Sequence, residues 1–196
     1  SDKAYLSIAN ANQTGLNPGT GDYSFSFWIK VDSIATGAFL LNKSISNALG
    51  GYQVFLNTNG SLYVSHSDGT VVGATSDANI ISINVWVNIT VVYSRSGNLT
   101  CYKNGNIVSP ILTADISSRT SAINSAAAFC VGATTGGYYL NGSMDSVCFV
   151  NRALTNAEVV SLYNAGRPRN WADVVAEPSL SNFRRDCVSW WDMDEA

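Results

Sequence analysis

The stretch YSFSFWIKV (residues 23–31) sets Phe25, Phe27, Ile29 and Val31 on one side and Ser24, Ser26, Trp28 and Lys30 on the other. VWVNITVVY (85–93) repeats the pattern, with Val85, Val87, Ile89 and Val91 against Trp86, Asn88 and Thr90. Alternation at period two describes antiparallel strands laid on a core with a polar second face. AFLLNK, GYQVFL, SLYVSH, LTCYK, AAFCVG and GSMDSVCFV are further strand candidates. NTNGS and SRSGN read as hairpin connections, and KNGN places Asn104-Gly105 where a type I′ turn needs positive φ twice. Many short strands punctuated in this way predict an all-β protein, a two-sheet antiparallel jelly-roll sandwich.

One helix interrupts the pattern. In LTNAEVVSLYNAGRP, Thr155 and Glu158 form a capping box, Val159, Leu162 and Tyr163 make an apolar face, and Gly166 and Pro168 end the helix. Residues 167–186 read as an irregular connector, and residues 187–196, CVSWWDMDEA, read as a C-terminal strand with three carboxylates at its end.

Composition narrows the function. Lys and Arg number 11 against 14 Asp and Glu, a net charge of -3, and basic residues never cluster beyond Arg184-Arg185. No basic patch is available for phosphate contacts, so nucleic acid is not an expected partner. No apolar run reaches the ~20 residues that span a bilayer, so membrane insertion is not expected. The start, SDKAYLSIAN, has neither an initiator Met nor a signal pattern, and the chain is expected to be processed or cut from something longer. Cys101, Cys130, Cys148 and Cys187 lie far apart, without the close spacing of zinc or redox sites. They read either as disulfide partners in one of three pairings or as buried free thiols.

The order YSFSFWIKV, VWVNITVVYSRSGNLTCYKNGNIV, FCVGA and YLNGSMDSVCFVNRALTNAEVVSLYNAG resembles laminin G-like domains of the concanavalin A-like lectin/glucanase superfamily, the pentraxin-like jelly rolls. The resemblance covers roughly residues 4–166 and implies one domain over residues 1–166. Asn88 stands where such domains often have a His, at a position expected to be structural. Domains of this kind commonly open with a Leu-Val-x-x-Trp strand and an acidic pair. Here the front looks like the second strand, and the back, residues 187–196, looks like the first. That strand is expected to fold back onto this domain's sheet or to be donated to a neighbour by strand addition, with self-association as the consequence; opening a following domain is the third reading.

The resemblance also implies a structural calcium ion near one end of the sandwich. Asp145 matches a recurrent acidic position, and Asp192 and Asp194 join it if the tail lies beside that strand. The alternative is that Asp145 accepts hydrogen bonds from backbone amides near the capped helix. The superfamily contains glucanases, which need two carboxylates across one cleft. The only glutamates are Glu158, Glu177 and Glu195, and no interior strand carries a close acid pair, so no enzyme is expected. His66, the only histidine, reads as a surface loop residue.

Glycan binding needs an exposed aromatic ring and planar polar groups. Trp28 and Trp86 match recurrent family tryptophans and are expected to be buried under a loop or the helix. The loop stretches ATTGGYYLNG and NALGGYQ supply the candidates Tyr138, Tyr139, Asn141, Asn47 and Tyr52, with one of the adjacent tyrosines expected in the core. The expected function is a non-catalytic, lectin-like carbohydrate-binding or adhesion module on an extracellular or virion surface, its partner a glycan or cell-surface polysaccharide. The alternative is an architectural subunit or decoration protein of a phage particle or filament.

Overall fold

The computed structural model describes residues 5–45, 50–108 and 113–192. Two antiparallel sheets face each other. The first runs in the order β1 (Leu6–Ile8), β11 (Phe129–Val131), β3 (Ala38–Asn42), β4 (Gly51–Leu56), β5 (Leu62–Ser67) and β6 (Val71–Thr75). The second runs β10 (Thr113–Asp115), β8 (Asn98–Lys103), β7 (Trp86–Tyr93), β2 (Tyr23–Ser33), β12 (Asn141–Val150) and β13 (Cys187–Trp191), with β9 (Asn106–Ile107) hairpinned onto β8. The β8–β9 turn uses Asn104 and Gly105 at φ 53° and 77°, as its sequence requires.

The alternation in β2 and β7 puts Phe25, Phe27, Ile29, Val87, Ile89 and Val91 between the sheets, fully or almost fully buried. Tyr23 stacks on Tyr93 there, with ring centroids 4.2 Å apart. His66 also belongs to this core. It is completely buried, and its Nδ1 lies 3.0 Å from the Tyr23 hydroxyl, so the expected surface loop residue is instead a strand residue facing inward. Its Nε2 has no hydrogen-bond partner.

The polar face of β2 and β7 does not meet solvent. Three helices, α1 (Asn156–Tyr163), α2 (Trp171–Ala176) and α3 (Ser181–Asp186), build a second apolar cluster on it from Val92, Cys148, Val150, Val159, Leu162, Val174 and Phe183. Ser24, Ser26, Asn88 and Thr90 are consequently buried and must pair with one another or with backbone. Thr90 Oγ1 donates to Ser26 Oγ at 2.9 Å, Asn88 Nδ2 to the Phe27 carbonyl at 3.3 Å, and Ser24 Oγ to the Arg152 carbonyl at 2.8 Å. Trp28 is buried in the same layer and stacks on Tyr163 of α1. Trp86 departs from the expected burial: it is 38% exposed, with Lys30 Nζ 5.9 Å from its ring centroid.

The capping box of α1 is formed in both directions, Glu158 N to Thr155 Oγ1 and Thr155 N to Glu158 Oε2. The connector, expected to be irregular, folds into α2 and α3. Asn170 caps α2 through the Asp173 amide, and Pro178 opens a single 3-10 turn ahead of α3. Arg152 at the end of β12 clamps these parts, donating to Glu158 at 2.6 and 2.8 Å and to Asp186 at 2.7 Å.

The tail returns to its own chain: β13 pairs with β12 in the register Val147↔Trp191 and Cys148↔Trp190. The adjacent tryptophans point to opposite faces. Trp191 stacks on Phe129 between the sheets, and Trp190 packs edge-on against Phe183 in the helical layer. All four cysteines are free thiols.

Candidate functional site

With the outer face of the seven-stranded sheet covered by helices, the outer face of the other sheet is the open one. Leu41, Val54, Leu56, Leu62 and Val64 point into the core, so their neighbours point out. The cross-strand register then arranges two rows on that face. One is aromatic, Phe39↔Phe55↔Tyr63, and one is polar, Asn42↔Gln53↔Ser65. Phe39 and Phe55 meet edge to face at 4.8 Å. Gly37 permits this: a Cβ there would lie 2.5 Å from Phe55 Cζ.

The β11–β12 loop rises beside these rows. Thr134 and Gly137 exchange backbone hydrogen bonds at 3.0 and 3.3 Å, and the Gly136 amide donates to Thr134 Oγ1 at 3.2 Å. Tyr138 follows with φ 55°, its carbonyl accepting from the Phe39 amide at 3.1 Å. The ring meets Phe39 at 5.8 Å and Phe55 at 5.9 Å, both edge to face, and is still 62% exposed. Between this ring, the Thr134 turn and the Asn42–Gln53 pair lies a groove of about 600 Å³ whose lining contains no charged side chain. An aromatic ring held by two others, standing over planar amides, can stack on an apolar ligand face while the amides address its polar edge.

Of the residues expected from sequence, Tyr138 belongs to the groove. Tyr139 packs edge-on against Tyr5 at 5.8 Å. Asn141 is exposed at the first position of β12, opposite Ser33 and away from the groove lining. Tyr52 is a correction: it is 1% exposed in the central core, its hydroxyl donating to the Leu16 carbonyl at 2.9 Å, and burial raises its pKa well above the ordinary tyrosine value. Its ring offers no face to a sugar. Asn47 lies outside the described residues.

Phe39, Phe55, Asn42 and Gln53 were not anticipated. Their signal is the phase of β4, in which Tyr52, Val54 and Leu56 share the inner face and leave Gln53 and Phe55 outside.

Calcium was expected at Asp145, Asp192 and Asp194. Asp145 Oδ1 accepts from the Ser146 amide and hydroxyl. Asp192 accepts from the Trp190 indole and, at 3.3 Å, from the Trp171 amide. Asp194 lies outside the described residues. Among the described residues no three His, Cys, Asp or Glu side chains converge as a metal site would require. Nor does the described groove lining contain a carboxylate or an imidazole; its one thiol is that of Cys130, 3.6 Å from the Ser7 hydroxyl.

The molecule is thus a two-sheet sandwich, helix-covered on one side and carrying an uncharged aromatic groove on the other. The chain belongs to a laminin G-type family of the concanavalin A-like lectin/glucanases superfamily, whose model matches residues 1–160. No curated protein matches the sequence.

Among solved structures, the binding domain of Paraclostridial Mosquitocidal Protein 1 is similar at a TM-score of 0.67 and 21% identity, over 84% of this chain and 42% of that one. The binding domain of botulinum neurotoxin serotype G gives 0.65 and 16%, over 89% and 41%. The serotype D ligand binding domain in complex with N-acetylneuraminic acid gives 0.59 and 15%, over 74% and 37%. The chain therefore spans about two fifths of the length of these binding domains, and the likeness is one of fold.

Proposed function

We propose that the chain is a non-catalytic, lectin-like module that binds glycans in the Tyr138 groove, at an extracellular or virion surface. The observation that carries this reading is the Tyr138 ring, 62% exposed yet fixed against Phe39 and Phe55 beside Asn42 and Gln53. The family lends support, as does a neighbour of the same fold whose complex holds a sugar, N-acetylneuraminic acid, although the carboxylate of that sugar has no charged counterpart in the described lining of this groove. Catalysis has no support in the groove, which lacks the paired acids that glycoside cleavage requires. No helix among the described residues is long and apolar enough to cross a membrane.

Calcium is not needed for binding in this reading. Met144 packs toward the inter-sheet core, so Asp145 points to the helical side of the sandwich, opposite the groove. Any calcium at Asp145 and Asp192 therefore acts on stability alone. The alternative reading is an architectural subunit or decoration protein of a phage particle or filament; β13 on the chain's own β12 fits the fold-back form of the tail.

A glycan and polysaccharide array run in calcium and again in EDTA, with the wild-type chain and Tyr138→Ala, tests the proposal. Binding that persists in EDTA and disappears in the variant is expected. Silence of the wild-type chain in both conditions would sink the lectin reading and favour the architectural one.

A further inference from the structure

We infer that the groove selects uncharged glycans and rejects sialylated or sulfated ones. This rests on the glycan-binding reading above and adds the chemical class of the ligand. No described residue lining the groove carries a charge. The nearest cation in sequence is withheld. Lys43 follows Asn42, is fully buried, and commits its Nζ to Asn10 Oδ1 at 3.0 Å and to the Ser125 and Ala127 carbonyls at 3.2 and 2.8 Å, the last behind the groove lining.

The other means of holding an anion is a concavity of free backbone amides. In the loop, the Gly136 and Gly137 amides are both spent on Thr134. A carboxylate or sulfate placed in the groove would lose its water without gaining a charged partner, which is strongly unfavourable. The net charge of -3 adds a long-range bias in the same direction. What the groove does offer suits a neutral sugar: an aromatic ring for the C–H face of a pyranose, and the uncharged hydroxyls and carboxamides of its lining for the sugar hydroxyls, although Asn42 Nδ2 already donates to the Ser44 carbonyl at 3.2 Å.

The test is binding of the full chain to neutral polysaccharides and to matched sialylated and sulfated glycans, by isothermal titration at 0.05 and 0.5 M NaCl. Neutral ligands are expected to bind with affinity unchanged within about twofold between the two salts, since no ion pair is there to be screened. Tyr138→Ala is expected to weaken them about tenfold, equivalent to ~1.4 kcal/mol. Because that ring is exposed, the variant should fold, and its melting temperature provides the check.

Preference for sialylated or sulfated ligands, with affinity falling at high salt, would overturn the inference and leave the lectin reading standing. Neutral binding that survives Tyr138→Ala would overturn the groove as the site. No binding to any glycan would overturn both.

Discussion

His66 is the residue whose burial has the clearest consequence in solution. Desolvation, helped by Arg95 and Arg119 and opposed by Asp68, brings its pKa from 6.5 down to about 4. The folded chain therefore keeps a neutral imidazole where the unfolded chain is already protonated. Stability is complete above about pH 6.5 and is lost as pH falls toward 4. Asp186 adds a separate and lower window: hydrogen bonds from Arg185 and Arg152 hold its carboxyl at about 2, so its contribution is lost between 3.8 and 2. Urea midpoints measured from pH 7 to 3 should fall in both ranges. His66→Phe should flatten the upper range only, and a variant that still loses stability between pH 6.5 and 4 would refute the assignment. Gly37 makes a second prediction at this scale. Gly37→Ala drives a methyl group into the Phe55 ring, and overpacking of this kind costs about 1–3 kcal/mol. Its effect on glycan affinity should exceed that of an exposed control substitution such as Ser118→Ala, because Phe55 supports Tyr138.

At the scale of elements, the Arg152 clamp ties the end of β12 to both α1 and α3. Thr155→Ala removes one side of the capping box and should cost about 1 kcal/mol in urea unfolding. Arg152→Met should cost more, because it leaves Glu158 without its charged donor and Asp186 with Arg185 alone. Faster hydrogen exchange in β13 than in β7 of the Arg152 variant would show that the clamp holds the tail; equal rates would show that it does not.

The same elements show what a sequence can reveal. β2, β7, the Asn104-Gly105 turn and α1 follow from local rules: alternation, a turn that demands positive φ, and reciprocal caps. What covers the polar side of β2 and β7 was legible only in part, because alternation identifies two faces but not what lies on them. Ser26, Asn88 and Thr90 satisfy one another, as buried groups must. The helices that cover them carried a readable signal in Asn170-x-x-Asp173 and in Pro178, but their brevity hid it. β6 escaped notice because Gly73 breaks its pattern; a Cβ there would meet the Val64 carbonyl at 2.7 Å. Of the groove, Tyr138 was legible as an exposed loop ring. Phe39 and Phe55 were not, since aromatic residues in strands ordinarily read as core, and a one-residue error of phase exchanged Tyr52 for Gln53.

For the whole molecule, the tail is part of both layers. Trp191 stacks on Phe129 in one and Trp190 meets Phe183 in the other, while Val188 passes so close to Gly15 that a Cβ there would sit 2.7 Å from it. Trp191→Ala should cost about 3 kcal/mol. Removing residues 187–196 should lower the melting temperature sharply without changing the oligomeric state in solution. The intact chain should sediment near its 20.9 kDa monomer mass. Stable oligomers that dissociate on this deletion would revive exchange of the strand between chains.

The central position of β2 has one further consequence. Its partner on one side, β7, follows within the same half of the chain, but its partner on the other side, β12, begins only at Asn141. A chain emerging from the ribosome therefore carries a long, hydrophobic strand edge with nothing to pair with until residues 141–150 have been made. Such edges recruit other chains. Vectorial synthesis thus exposes this protein to aggregation in proportion to the time it takes to translate residues 34–150, and slow codons in that interval should lower its soluble yield while those after it should not.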